Sequence, residues 1–163
     1  MRLTFIISFL ATLILSCSGY GKVQVAFFEH RTKDGQLQPI EAGGQLYHVA
    51  VQYNDKWLNA HPYYGVQEVD DVRKIGDLYS IIEIDQDVPL EKYKAEFGKH
   101  FSISDYWENP KSTYCSKLVA QILDLSPTFM KNGNGWGISP DEVYKILSSK
   151  PHREVRSCTN LFL

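Results

Sequence analysis

One cysteine and two histidines stand where a fold can bring their chemistry together. Two strand-like runs, LYHVAVQY at 46–53 and KWLNAH at 56–61, flank Asn54-Asp55. Asn suits a two-residue hairpin turn. Tyr53 then faces Lys56, and counting outward along the strands sets His48 opposite His61. Directly opposed residues have Cβ atoms about 4.5–5.5 Å apart. Asn59 falls on the same face, one diagonal from His48. One imidazole can hold the ring of the other and so orient a general base. The plainer alternative is a chance pair on a solvated sheet face.

Cys115 opens the clearest helical run of the chain, YCSKLVAQILDL at 114–125. Unpaired N–H groups and the helix dipole favour a thiolate at that position. A neighbouring imidazolium lowers a thiol pKa further, and backbone N–H groups there can hold an oxyanion. Two plainer readings stay open: a small buried apolar Cys, or a disulfide to Cys158 in an oxidising compartment. A zinc site built from His48, His61, Cys115 and His100 or Cys158 lacks any close ligand spacing, so no metal or cofactor is expected.

Around these residues the pattern calls for strands and a few helices. Strands are expected at 23–28, 46–53, 56–61, 65–69 and 78–84, from their β-branched and aromatic content. A short helix is expected at 89–97, where Leu90, Tyr93 and Phe97 share a face. In the 114–125 helix Leu118, Val119, Ile122 and Leu123 form one apolar stripe, with Ser112 or Thr113 as its cap. Ser139-Pro140-Asp141-Glu142 starts another helix running to Leu147. Residues 101–113 look irregular, 132–137 (NGNGWG) a loop, and the basic segment from Lys150 peripheral. Tyr63, Tyr64, Tyr106, Trp107 and Trp136 are able to wall a groove or simply to fill a small core. His30, His100 and His152 read as solvated.

The 163 residues suffice for one domain. A hydrophobic share of 44% excludes a disordered chain, and a net charge of −2 gives no electrostatic ground for nucleic acid. Residues 1–16 (MRLTFIISFLATLILS) have a short positive start, an apolar run and small residues at the end, the form of a secretory signal. Ile14-Leu15-Ser16-Cys17 resembles the bacterial lipobox, whose cysteine is lipidated and becomes the new N-terminus. Residues 17–163 would then be a single domain held on a membrane surface by acyl chains on Cys17. Ser18, not Asp, follows the cysteine, which favours the outer membrane, facing the periplasm. Plain secretion is the alternative.

The order of these pieces carries a wider resemblance. Tyr47-His48-Val49-Ala50-Val51, Tyr114-Cys115-Ser116-Lys117-Leu118-Val119 and Ile138-Ser139-Pro140-Asp141-Glu142, with Ser104-Asp105-Tyr106-Trp107 upstream of the cysteine, resemble the YaeF/YiiX branch of the NlpC/P60 superfamily. The lecithin retinol acyltransferase family is a more distant relative. The resemblance spans residues 27–147. It implies a circularly permuted papain-like α+β fold, an antiparallel sheet packed against helices. It also implies Cys115 as nucleophile, His48 as general base and His61 as the polar residue that orients it. Relatives often carry an acidic residue at that third position, and their Gly-Asp-hydrophobic opening motif is missing before His48. Tyr114, Asn59 and Tyr106 are the candidates for substrate or oxyanion contacts.

The expectation is an envelope lipoprotein that cleaves an amide or ester through an acyl-cysteine. Its substrate would be a peptidoglycan peptide or a lipid acyl group, with His61 leaning toward the latter. The competing expectation is an inactive binding module on the same fold.

Overall fold

A computed structural model describes residues 21–129 and 136–156. The apolar leader at 1–16, Cys17, Cys158 and most of the 132–137 loop lie outside the described residues. Among the described residues ten strands and three α-helices follow in chain order: β1 (Lys22–Glu29), β2 (His48–Tyr53), β3 (Lys56–His61), β4 (Gly65–Val69), β5 (Asp77–Asp85), α1 (Leu90–Lys94), β6 (His100–Phe101), β7 (Ser112–Thr113), α2 (Cys115–Leu123), β8 (Thr128–Phe129), β9 (Trp136–Gly137), α3 (Pro140–Ser148) and β10 (His152–Arg156). A single 3-10 turn, Val72–Lys74, precedes β5.

The architecture is α+β. Six strands form one sheet in the order β10-β5-β1-β2-β3-β4, and every pair in it is antiparallel. β1 is central because its side chains are buried on both faces. Val23, Val25 and Phe27 point into the main core with Val49, Val51, Leu58, Ile82 and the helices. Ala26 and Phe28 point the other way, into a small cluster with Ala50 and Trp57 that Val72, Ile75, Leu78 and Ile81 border. α2 packs on β2 and β3 with all but Gln121 of its nine residues buried. A helix covered almost all round is held by tertiary burial rather than by propensity.

The β2–β3 hairpin has the expected register. Tyr53 pairs Lys56, Gln52 pairs Trp57 and Val51 pairs Leu58, with Asn54 in the left-handed region at φ 53°. β2 begins at His48 rather than Leu46. The N–H groups of Gln45 and Leu46 donate to the Asp141 carboxylate instead of joining a ladder. α2 is shorter than expected at both ends. Tyr114, not Ser112 or Thr113, occupies its N-cap, with no side-chain cap bond. Asp124 turns left-handed at φ 56° and ends it. α1 is confined to Leu90–Lys94, and turns carry the chain on to Gly98 at φ 80°.

The C-terminal expectation is corrected. The segment from Lys150 is not peripheral: it contributes β10, paired with β5 from His152↔Ile84 to Arg156↔Ser80. Its sequence HREVR carries too little apolar material to read as a strand, yet charged side chains are what an exposed sheet edge tolerates. The 101–113 stretch also contains order, since β6 and β7 form a short parallel pair. Ser139 caps α3 by accepting from the Glu142 N–H at 3.1 Å, with Pro140 in the first turn.

Leu118 is fully buried where α2 meets the sheet. Leu118→Ala is expected to cost about 2–5 kcal/mol, the range for truncating a packed leucine, measured by urea unfolding.

Candidate active site

Three backbone segments deliver the candidate groups. β2 starts at His48 beside Phe28 of β1, whose ring lies 5.8 Å from the imidazole. β3 carries Asn59 and His61. α2 presents Cys115 as its first helical residue. The structure brings Cys115, His48 and Asn59 together. His48 Nε2 lies 2.5 Å from Asn59 Oδ1, and the His48 ring also hydrogen-bonds Cys115. Because Oδ1 only accepts, Nε2 carries the proton. The other ring nitrogen is then left as the partner of the sulfur.

Burial alone would push the Cys115 thiol up. The charge and hydrogen bond of His48, together with the N–H groups of Val49 and Ser116 on the sulfur, outweigh it, and the thiol sits below its ordinary value. Burial would likewise lower His48; the charge of Cys115 and the bonds to Cys115 and Asn59 instead raise it. Opposite shifts in two touching groups favour thiolate and imidazolium together. Cys115 is a free cysteine and nearly buried at 3% exposure. It nevertheless lines a cleft of about 350 Å³ with His48, Asn59, His61, Tyr47, Phe101 and Asp77. As the first residue of α2, it has an N–H with no acceptor inside the helix, free to meet an oxyanion formed at the sulfur's target.

His61 is placed differently from the sequence expectation. The β2–β3 ladder stops at Val51↔Leu58. Beyond it β2 stays paired with β1 and β3 with β4, so counting to His48 and His61 runs past the end of the pairing. Asn59, the diagonal neighbour, reaches His48 instead, as diagonal positions on adjacent strands can. His61 lines the cleft, but its Nδ1 accepts from the Tyr63 N–H at 3.1 Å and its ring stacks on Tyr64 at 4.8 Å.

The other expected contacts divide as well. Asn59 is in the site, holding the histidine. Tyr114 is buried with its hydroxyl accepting from the Ile138 N–H at 3.1 Å, and burial pushes that hydroxyl up to about 12; it braces the structure and does not point into the cleft. Tyr106 is 86% exposed and outside the cleft lining, while its carbonyl accepts from Lys117. Tyr63 and Tyr64 are exposed beside the cleft, whereas Trp107 packs against the core near Lys117. His100 faces Asp105 at 3.4 Å and the His30 ring lies tilted against Tyr47, 5.1 Å between centroids. Among the described residues no three His, Cys, Asp or Glu side chains gather as a metal site.

In comparisons with known proteins, no family model, no curated protein and no solved structure matches this chain.

The paired shifts have a readable sign. Alkylation of Cys115 by iodoacetamide is expected to fall as pH drops through a midpoint below that of an ordinary thiol, because the sulfur then takes a proton. In His48→Ala the burial penalty acts without the opposing imidazolium. The midpoint should rise, and alkylation at pH 7 should fall by about tenfold or more, since an unassisted thiol is only a few per cent ionised there. Rates measured from pH 4 to 10 test both statements.

Proposed function

We propose that this protein is a thiol hydrolase of the permuted papain-like type, working through an acyl-cysteine. The observation that carries the reading is the His48 ring held between Asn59 Oδ1 and the Cys115 sulfur. A cysteine–histidine–asparagine arrangement is a known way to build a thiol nucleophile.

In the proposed reaction the Cys115 thiolate attacks the carbonyl carbon of an amide, and a C–S bond forms. The carbonyl oxygen gathers negative charge near the Cys115 N–H at the α2 N-terminus. His48 gives its proton to the leaving amine as the C–N bond breaks. It then takes a proton from water as that water attacks the thioester carbonyl; the C–S bond breaks, the acid product leaves, and the Cys115 thiolate is restored. Asn59 holds the imidazole in the tautomer these steps need. His61 stands at the cleft as a substrate-contacting group and not as part of the proton path.

With Asn59 in the orienting role, the lean toward a lipid substrate that rested on His61 lapses. The cleft mixes Glu29, His30 and Asp77 with Ile40, Tyr47 and Phe101. That balance supports an amide of peptide character over a long acyl chain. With residues 1–16 read as a signal and Cys17 as a lipidated anchor, the accessible peptides are those of the bacterial envelope. Among the described residues no helix is long and apolar enough to cross a membrane.

The test is labelling by an acyl-electrophile probe, followed by release of peptides from purified peptidoglycan. Cys115→Ala is expected to abolish both while the protein stays folded by circular dichroism. Undiminished labelling would overturn the nucleophile assignment. His48→Ala is expected to cost about 10²–10⁴-fold in kcat, the usual range for a general base. Asn59→Ala should cost less than that, and His61→Ala should act mainly on KM. Separately, Cys17→Ala is expected to release the protein from the membrane fraction.

A further inference from the structure

The segment Ile138–Asp141 touches both halves of the site without entering it. Toward α2, the Ile138 carbonyl accepts from Ser116 Oγ at 2.6 Å, and the Ile138 N–H donates to the Tyr114 hydroxyl at 3.1 Å. Those two partners flank Cys115 in sequence. Toward β2, Ser139 Oγ donates to Glu41 Oε2 at 2.6 Å. Asp141 Oδ1 accepts from the Gln45 N–H at 2.8 Å, and both its oxygens take the Leu46 N–H at 3.2–3.3 Å. Leu46 is two residues from His48 and buried.

The fit against this loop is close. A Cβ on Gly44 would collide with the Asp141 carboxylate, so the glycine leaves the room that lets the carboxylate reach two consecutive N–H groups. Gly43 is in the left-handed region at φ 78°, and the Gly44 N–H closes a turn onto the Glu41 carbonyl at 2.9 Å. The 41–46 loop is thus folded around the first turn of α3. After it, the Tyr47 N–H joins the Phe28 carbonyl at 2.8 Å and the chain enters β2 at His48. A carboxylate accepting backbone N–H groups makes charge-assisted bonds, roughly twice as strong as neutral ones.

We propose that Asp141 is a positioning residue. By gripping the Gln45 and Leu46 N–H groups from a segment that also holds Tyr114 and Ser116, it sets His48 at the correct place against Cys115. The proposal rests on the roles given above to Cys115 and His48. It assigns Asp141 no contact with substrate. A merely structural role is the rival, since an acidic residue in the first turn of α3 also suits the helix dipole.

The experiment reads the geometry of the pair directly, through the pH profile of Cys115 alkylation, with melting temperature measured on the same samples. Asp141→Ala is expected to move the alkylation midpoint upward, toward that of His48→Ala, and to slow alkylation at pH 7 several-fold. Asp141→Asn should fall between Asp141→Ala and the unsubstituted protein, because its amide oxygen still accepts an N–H. Gly44→Ala, which pushes the carboxylate aside without removing it, should shift the midpoint in the same direction and serves if Asp141→Ala fails to fold. Leu147→Ala, buried on the same helix and remote from the loop bonds, should lower the melting temperature without moving the midpoint. An unchanged midpoint in Asp141→Ala or Gly44→Ala, or an equal shift in Leu147→Ala, overturns the positioning role alone. An ordinary thiol midpoint in the unsubstituted protein overturns the thiol-hydrolase reading as well.

Discussion

The buried sulfur of Cys115 and the half-buried ring of His48 meet at the inner wall of the cleft, and each is favoured as a charge there by the other. A lone thiolate in such surroundings would take up a proton, since burial of an unpaired charge is costly. A lone imidazolium would lose one. Placed together, with Val49 and Ser116 N–H groups on the sulfur and the Asn59 oxygen on the ring, they move in opposite directions and both are favoured in the charged form. Such a pair rarely adds net stability, because desolvation offsets much of the attraction. Its value lies in reactivity, and the surrounding structure must supply the order that the pair itself cannot.

That order comes from the way β2 and β3 part company. Through Tyr53, Gln52 and Val51 they are a regular hairpin. Past that point each follows its outer neighbour, β2 with β1 and β3 with β4. The cleft lies at this end of the sheet, and α2 lies over the same strands with its first turn at the opening. Gly65 shows how tightly the far side is built. It stands at φ 68°, and a Cβ there would strike the Lys99 carbonyl, to which the next residue's N–H is bonded at 3.2 Å. β4 is thereby held against the residue that leads into β6, beside the strand end that carries His61.

What the sequence made legible were the features with local causes. The Asn54-Asp55 turn specifies its register without help from the rest of the chain, so Tyr53↔Lys56 was readable. The apolar spacing of Leu118, Val119, Ile122 and Leu123 marked α2, and Ser139-Pro140 marked the start of α3. The errors came where distant partners decide the outcome. Asn59 replaces His61 as the holder of His48 because the ladder ends early, and that ending depends on β1 and β4. Residues 46 and 47 look like strand, but the N–H of Leu46 is claimed by a carboxylate 95 residues away. β10 is short on apolar residues and becomes a strand only because β5 offers an open edge.

The topology also bears on where a substrate can come from. The described chain enters the sheet at Lys22, the first residue of β1, and the site lies against Phe28, near its other end. At a rise of about 3.3 Å per residue, six residues of strand separate the two by about 20 Å. A lipid on Cys17, as proposed, would be attached only a few residues before Lys22. The first residue of β1 and the cleft lie toward opposite ends of that strand. In the proposed reading it is the mixed polar and apolar lining of the cleft that favours a peptide amide as substrate.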